Sequence, residues 1–150
     1  MADGRQKCSA CGLIKAKAEF SLTNRQCNSC RKNKHDAKAN SSLEGFLTMR
    51  LTALKQRHRS KGYTEDVIDL AHLMDLYEEQ RGICALTGIP MHITTSESDM
   101  SVSPDRIDSD LGYSEGNVRL VCVRANLMMN NLDDAHFKWW CRAVIFHDGK

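Results

Sequence analysis

Two groups of side chains in this chain have the types and spacing to do chemistry. The first is a pair of Cys-x-x-Cys turns, Cys8–Cys11 and Cys27–Cys30, with fifteen residues between them. Each turn puts two sulfurs on one side of a knuckle, and the segment between them brings the second pair across. This is the spacing of a tetrahedral four-thiolate zinc site. One structural Zn²⁺ is expected on Cys8, Cys11, Cys27 and Cys30. Such a closed site has no open position for a substrate, so it is expected to fold the segment and to catalyse nothing.

The second group lies in "SPDRIDSDLGYSEGNVRLVCVRANLMMNN", residues 103–131. "MSVSPDRID" and "NVRLVC" read as short strands joined by the turn "SDLGYSEG", and "VRANLMMNNL" has helical spacing. Strand, turn, strand, helix is a ββα outline. It sets Asp105 on the first strand. Asn126 and Asn130, four residues apart, share one helix face. A carboxylate and one or two amide oxygens converging in this way make a hard-oxygen site suited to Mg²⁺ or Mn²⁺. An ion held there neutralises a scissile phosphate and stabilises a departing oxygen.

These groups need elements to position them. After the second knuckle, Arg31, Lys32, Lys34 and Lys38 form a basic run ending in a polar linker at Asn40–Ser42. Leu43, Phe46, Leu47, Leu51 and Leu54 then recur at helical spacing, with Arg50, Lys55, Arg57, Arg59 and Lys61 on the other side and at the end. The cations are either a solvated face with a favourable dipole at the helix C-terminus or a phosphate-tracking surface. Gly62 stops this helix and Thr64 is the expected cap of the next, with Val67, Leu70, Leu73, Met74 and Tyr77 as its inner stripe and His72 as a surface or packing residue. Gly82 ends it. "ICALTGIPMHI" reads as a short hairpin about Thr87–Gly88. A last helix is expected from Asp133 or Asp134, with Phe137, Trp140, Cys141, Val144 and Ile145 packed inward. Trp139 and Trp140 are read as packing residues rather than base-stacking ones.

The fold class is therefore α+β: a small N-terminal zinc-ribbon-like module, a helical linker region, and a ββα-metal core with a C-terminal helix. The expected division is 1–40, 41–82 and 83–150. The 41% hydrophobic and 27% charged content is that of a soluble globular protein. No run of eighteen apolar residues is present, so no membrane contact is expected, and the N-terminus lacks a secretory core. The default location is intracellular, in cytoplasm, nucleus or nucleoid. In that reducing setting seven cysteines argue for metal ligands or core thiols. The net charge of +2 conceals an asymmetry: residues 1–62 carry fourteen Lys/Arg against four Asp/Glu, the remainder seven against fifteen. A basic half beside an acidic half points to a polyanion-binding module next to a region with other work, or to two halves that attract each other.

Taken together, "CALTGIPM", "SPDRIDSDLGYSEGNVRLVCVRANLMMNN" and "FKWWC" resemble the HNH (His-Me finger, ββα-metal) endonuclease family. The order Asp-Arg-Ile-Asp, Gly-Tyr, Gly-Asn-Val is similar to its phage and bacterial branch, so a viral or phage-encoded origin fits. The N-terminal cysteine module with "KAKAEF" resembles a zinc-binding lead-in found on some of these proteins. The resemblance covers roughly residues 8–35 and 76–141. It implies metal-dependent hydrolysis of a nucleic-acid phosphodiester. Asp105 falls where the family places a metal-ligating aspartate, Asn117 on an asparagine that braces the loop, and Asn126 on the helical metal ligand, with Asn130 as a neighbour able to assist.

Two departures stand out. Arg106 occupies the position where better-known members have a histidine that deprotonates the attacking water. With a pKa above about 12 it is no base at neutral pH. It is left to clamp the phosphate or stabilise transition-state charge, or merely to pair with Asp108. Water activation then falls to the metal, His92 or Asp108. For Asp105 and Arg106 both to face the site, the strand must end or bulge near Pro104. Secondly, many relatives hold this core with two further Cys-x-x-Cys pairs, whereas here Cys84 is followed by Thr87 and Cys122 by Ala125. Cys84, Cys122 and Cys141 are expected to be buried and inert. The expected partner is nucleic acid, double-stranded DNA above all, gripped by Arg31, Lys32, Lys34, Lys38, Lys55, Arg57, Arg59 and Lys61, by a homodimer or larger assembly if cutting is paired. Two alternatives stay open: a catalytically degenerate nucleic-acid-binding or scaffold protein, and zinc-mediated protein docking through the acidic half.

Overall fold

The computed structural model describes residues 4–39, 41–94 and 98–148. The chain is a mixed α/β structure with two small antiparallel sheets. Strands β1 (Arg5–Lys7) and β2 (Ile14–Ala16) pair in the N-terminal module, and helix α1 (Asn28–Ala39) leaves its second knuckle. Among the described residues Cys8, Phe20 and Cys27 are the buried ones of this module. That is too little apolar surface to fold a segment in water, where each fully buried large side chain contributes only about 1.5–3 kcal/mol. The module needs its four thiols tied together.

The larger core is a separate cluster. Helix α2 (Leu43–Lys61) begins at Ser42, whose hydroxyl accepts the Gly45 N–H at 3.1 Å, a cap contributing about 1 kcal/mol. Phe46, Leu47, Leu51, Leu54 and His58 recur every three or four residues and are buried. They pack with Val102, Leu120 and Val121 from β3 (Val102–Arg106) and β4 (Val118–Cys122), and with Ala125 of α4 (Val123–Met129). Residues 43–125 thus share one hydrophobic core across the position 82 boundary.

Helix α3 (Leu70–Glu79) starts later than its apolar spacing predicts. Asp69, not Thr64, caps it, accepting the His72 N–H at 2.9 Å, and the preceding residues run irregularly so that Ile68 N–H reaches the Tyr113 carbonyl at 3.0 Å. Tertiary hydrogen bonding outcompetes local propensity there. Just past the end of α3, Gln80 acts as a piece of strand. Its amide donates to Leu120 O at 2.8 Å and accepts from Leu120 N at 2.9 Å, fixing the outer edge of β4. Residues 83–93 make single bridges, Ile83 to Pro90 and His92 to Ser101, in place of a full hairpin.

Strands β3 and β4 run in unbroken register from Val102↔Cys122 to Arg106↔Val118, joined by the loop 107–117. The strand ends at Arg106 without a bulge, and α4 follows β4 directly. Helix α5 (Asp134–Asp148) departs from expectation. Asp133 caps it and Phe137 is buried, but Trp139, Trp140, Val144 and Ile145 are more than half exposed and Cys141 is partly so. Phe137 is the buried residue of its first turn, and beyond it the apolar stripe continues past what the described residues cover. No helix among the described residues is long and apolar enough to cross a membrane.

Candidate metal centre and cleft

The four N-terminal thiols converge, with ligand atoms within 4.8 Å of one another. Cys8 Sγ accepts the N–H groups of Cys27 at 3.3 Å and Ala10 at 3.4 Å. Donors aimed at sulfur favour the thiolate, and the Cys8 thiol is lowered to about 6, first by the Cys27 N–H. Closeness, burial of Cys8 and Cys27, and prepaid N–H···S bonds all fit a soft tetrahedral cation such as Zn²⁺.

The second site is a cleft of about 670 Å³ lying between the end of α2, the 107–117 loop and the α4–α5 junction. Asp105, Arg106 and Asp108 border it from the end of β3 and the loop; Asn126 and Asn130 border it from α4 and its C-cap; Arg57 and Lys61 border it from α2. Asn126 donates from Nδ2 to Ser103 Oγ at 3.0 Å, which turns its amide oxygen away from that bond. Asp105 is buried, and burial raises its carboxyl above the ordinary range although Arg119 pulls the other way. The donors are hard oxygens, and this set fits Mg²⁺ or Mn²⁺ in kind.

Sequence reasoning missed Arg119. It stands directly opposite Asp105 in the hairpin and donates from Nε to Asp105 Oδ2 at 3.0 Å. Its other nitrogens fork onto Asp134 at 2.8 and 2.7 Å, at the start of α5. Burial works against the guanidinium, but the two carboxylates more than offset it and hold its proton tighter. Asp134 is correspondingly lowered, Arg119 being the main cause. Counting the hairpin register back from the 107–117 turn would have exposed this pair.

Arg106 is already committed. Its guanidinium lies 5.4 Å from the Tyr63 ring centroid and 5.3 Å from that of Tyr113. It donates to the Tyr63 hydroxyl and to the carbonyls of Ser109 at 2.6 Å and Leu111 at 3.1 Å. Among the described residues it makes no ion pair with Asp108. Asn117 holds the same loop from the other side: Oδ1 accepts the Asp108 N–H at 2.8 Å, and Nδ2 donates to the carbonyls of Asp108 at 3.1 Å and Gly112 at 2.8 Å. The Gly-Tyr pair has a physical reason too. A Cβ on Gly112 would meet His58 at 2.6 Å, and the Tyr113 N–H donates to His58 Nδ1 at 3.2 Å. Neither His58 nor Tyr63 carries a local sequence signal for this contact, because both reach the loop from over forty residues away.

Of the two side-chain candidates for water activation, Asp108 borders the cleft and His92 does not. Of the cations, Arg57 and Lys61 border it, while Lys55 and Arg59 do not; Arg31, Lys32 and Lys34 are exposed on α1. The Lys38 side chain lies outside the described residues. Cys84 and Cys122 are buried, whereas Cys141 is accessible on α5, a correction to its expected burial.

No family model matches the chain, and no curated protein matches it. Among solved structures it is similar to the rare-cutting HNH restriction endonuclease PacI, a protein described for its perturbation of DNA. The two share 19% sequence identity over 93% of this chain and 92% of that one, with a TM-score of 0.48.

Proposed function

We propose that this chain is a metal-dependent endonuclease of HNH type that hydrolyses phosphodiester bonds in nucleic acid, double-stranded DNA in particular. One observation carries the reading: Asp105, Asn126 and Asn130 border the same cleft as Arg57 and Lys61. Oxygen ligands for a divalent cation and cations for phosphate thus share one concave surface. Asp105 and Asn126, with Asn130 beside them, hold Mg²⁺ or Mn²⁺, which when bound supplies charge neutralisation at the scissile phosphate. Arg57 and Lys61 hold the flanking phosphates, and the exposed cations of α1 extend the grip without reading bases. Asp108 takes the proton of the attacking water as the water oxygen bonds to phosphorus and the bond to the departing oxygen breaks, the departing oxygen taking a proton from solvent. Arg106, engaged by Tyr63 and two carbonyls, fixes the loop that presents Asp108. In this reading the zinc module (1–40) and helical region (41–82) grip, and the 83–150 segment cuts.

A second reading is favoured by one observation. Arg119 occupies an oxygen of Asp105, so the cleft resembles a structural ion pair as much as a metal site, and a binding protein without catalysis would look the same. Incubation of purified protein with supercoiled plasmid separates the two. The endonuclease reading expects nicked or linear product with Mg²⁺ or Mn²⁺, none with chelator, and a loss of about 100-fold or more in Asn126→Ala. Salt-sensitive binding with no cleavage under either ion would leave the binding protein.

A further inference from the structure

Helix α5 is anchored at one end. Asp133 caps it, Asp134 is forked by Arg119, and Phe137 is buried. Beyond Phe137 the stripe continues through Trp140, Val144 and Ile145, which are 55%, 60% and 69% exposed. With Met128 and Leu132 from the α4 end they border an apolar trough of about 640 Å³ that no charged side chain lines. A nucleic-acid backbone would need cations there, and this surface has none.

From these residues we infer that α5 is a self-association surface, pairing antiparallel with α5 of a second copy of the chain. At these exposures the five side chains leave on the order of 500 Å² of apolar surface in water, near the upper end of what monomers carry. An interface core is about two-thirds apolar, so such a patch implies roughly 800 Å² per copy once its polar rim is added. That is the size of a stable two-fold interface. Phe137, Trp140 and Val144 are three and four residues apart, and Phe137, Cys141 and Val144 four and three, as a helix seam requires. Direction follows from the helix dipoles, since Lys138 beside Asp134 and Asp148 beside His147 leave the two halves of α5 nearly alike in side-chain charge. Antiparallel pairing sets unlike ends and opposed helix dipoles together, whereas parallel pairing stacks like on like. Cys141 is the middle residue of α5, so full antiparallel overlap puts it beside its own copy at the two-fold axis.

The test is sedimentation velocity of the full zinc-loaded chain from micromolar to submillimolar concentration. Wild type is expected at twice the 16.9 kDa chain mass. Ile145→Glu combined with Val144→Glu is expected to run as a monomer with unchanged circular dichroism, since both positions are exposed. A wild type that stays monomeric throughout, or a double variant that stays dimeric, overturns the surface. Copper-phenanthroline oxidation then reads the direction: a disulfide dimer lost in Cys141→Ser is expected, and a dimer that fails to cross-link overturns the antiparallel register. None of this depends on nuclease activity, so a monomer would sink the pairing and leave the cleft reading standing.

Discussion

The turn at Cys8–Gly12 and the turn at Cys84–Gly88 have the same backbone. In the first, Cys8 N–H donates to Leu13 O at 2.9 Å, Gly12 N–H to Cys8 O at 2.9 Å, and Cys27 N–H to Cys8 Sγ at 3.3 Å. In the second, Cys84 N–H donates to Ile89 O at 2.9 Å, Gly88 N–H to Cys84 O at 2.9 Å, and Cys122 N–H to Cys84 Sγ at 3.2 Å. Gly12 and Gly88 both sit at positive φ, 73° and 70°, where a side chain is strained. The cysteines that donate to these two sulfurs, Cys27 and Cys122, directly precede a helix, α1 and α4 respectively. Two ligand positions differ: Cys11 corresponds to Thr87, and Cys30 to Ala125. What the surroundings supply differs more. The first turn rests on three buried residues, the second on the main core. A knuckle geometry therefore does not require a metal. It requires either a metal or a core: the first turn has four thiols placed to take a metal, and the second rests on the main core.

The largest effect expected from this contrast is on metal removal. A structural zinc contributes roughly 10–16 kcal/mol of apparent binding free energy, against almost no apolar burial in the module. Stripping the chain with chelator should therefore unfold residues 5–30 and spare the rest. Hydrogen exchange reads this directly: amides of the module are expected to exchange at open-chain rates, while those of α2, β3 and β4 keep their protection. Loss of protection in both regions would mean that module and core fold as one unit, and the contrast would fail.

A smaller effect sharpens the correspondence of positions. Thr87→Cys with Ala125→Cys should complete a second four-thiolate set. Elemental analysis is expected to rise from one zinc per chain to two. Without metal the double variant should be less stable by about 1–3 kcal/mol, because Ala125 is buried and a larger side chain overpacks the site. With zinc the melting temperature should exceed that of wild type. A variant that still holds one zinc would show that the two turns match in backbone but not in the direction of their side chains.

How far the sequence disclosed all this follows the range of the interactions. The four zinc thiols, the ββα order and the α2 stripe were legible because each rests on spacing within a few residues or on one short turn. The α3 start was not, since the Ile68 bond to Tyr113 is long-range. From sequence Arg106 reads as a phosphate clamp or a partner of Asp108, because its actual partners, Tyr63 and the carbonyls of Ser109 and Leu111, depend on how α2 lies against the loop. The α5 stripe was legible as apolar, but periodicity does not say whether the chain's own core or another molecule covers it. Arg119 lay within reach, one register count away from Asp105.

The smallest effect is a difference in sign with pH. In the first turn the Cys8 thiol is lowered to about 6, chiefly by the Cys27 N–H. A lowered acid contributes stability that is fully present above its unfolded pKa, about 8.5, and is lost as pH falls through 6. In the second turn burial, then the neighbouring Cys84, pushes the Cys122 thiol up to about 11. A raised acid contributes stability that is present below about 8.5 and is lost as pH rises through 11. Each turn also holds a thiol shifted the other way, Cys30 raised and Cys84 lowered, so the difference in sign lies between the corresponding positions Cys27, lowered chiefly by the Cys30 N–H, and Cys122, raised by burial. Acid should therefore loosen the module first, where no large core stands behind the thiolates, and alkali should act first on the core. Zinc release followed with a chromophoric chelator is expected to have its midpoint at or below pH 6. Urea midpoints of the core, followed by exchange of β4 amides, are expected to fall only above about pH 9. Zinc release centred near pH 8, or a core that weakens in acid before the module does, would show that the two turns are held by the same force after all.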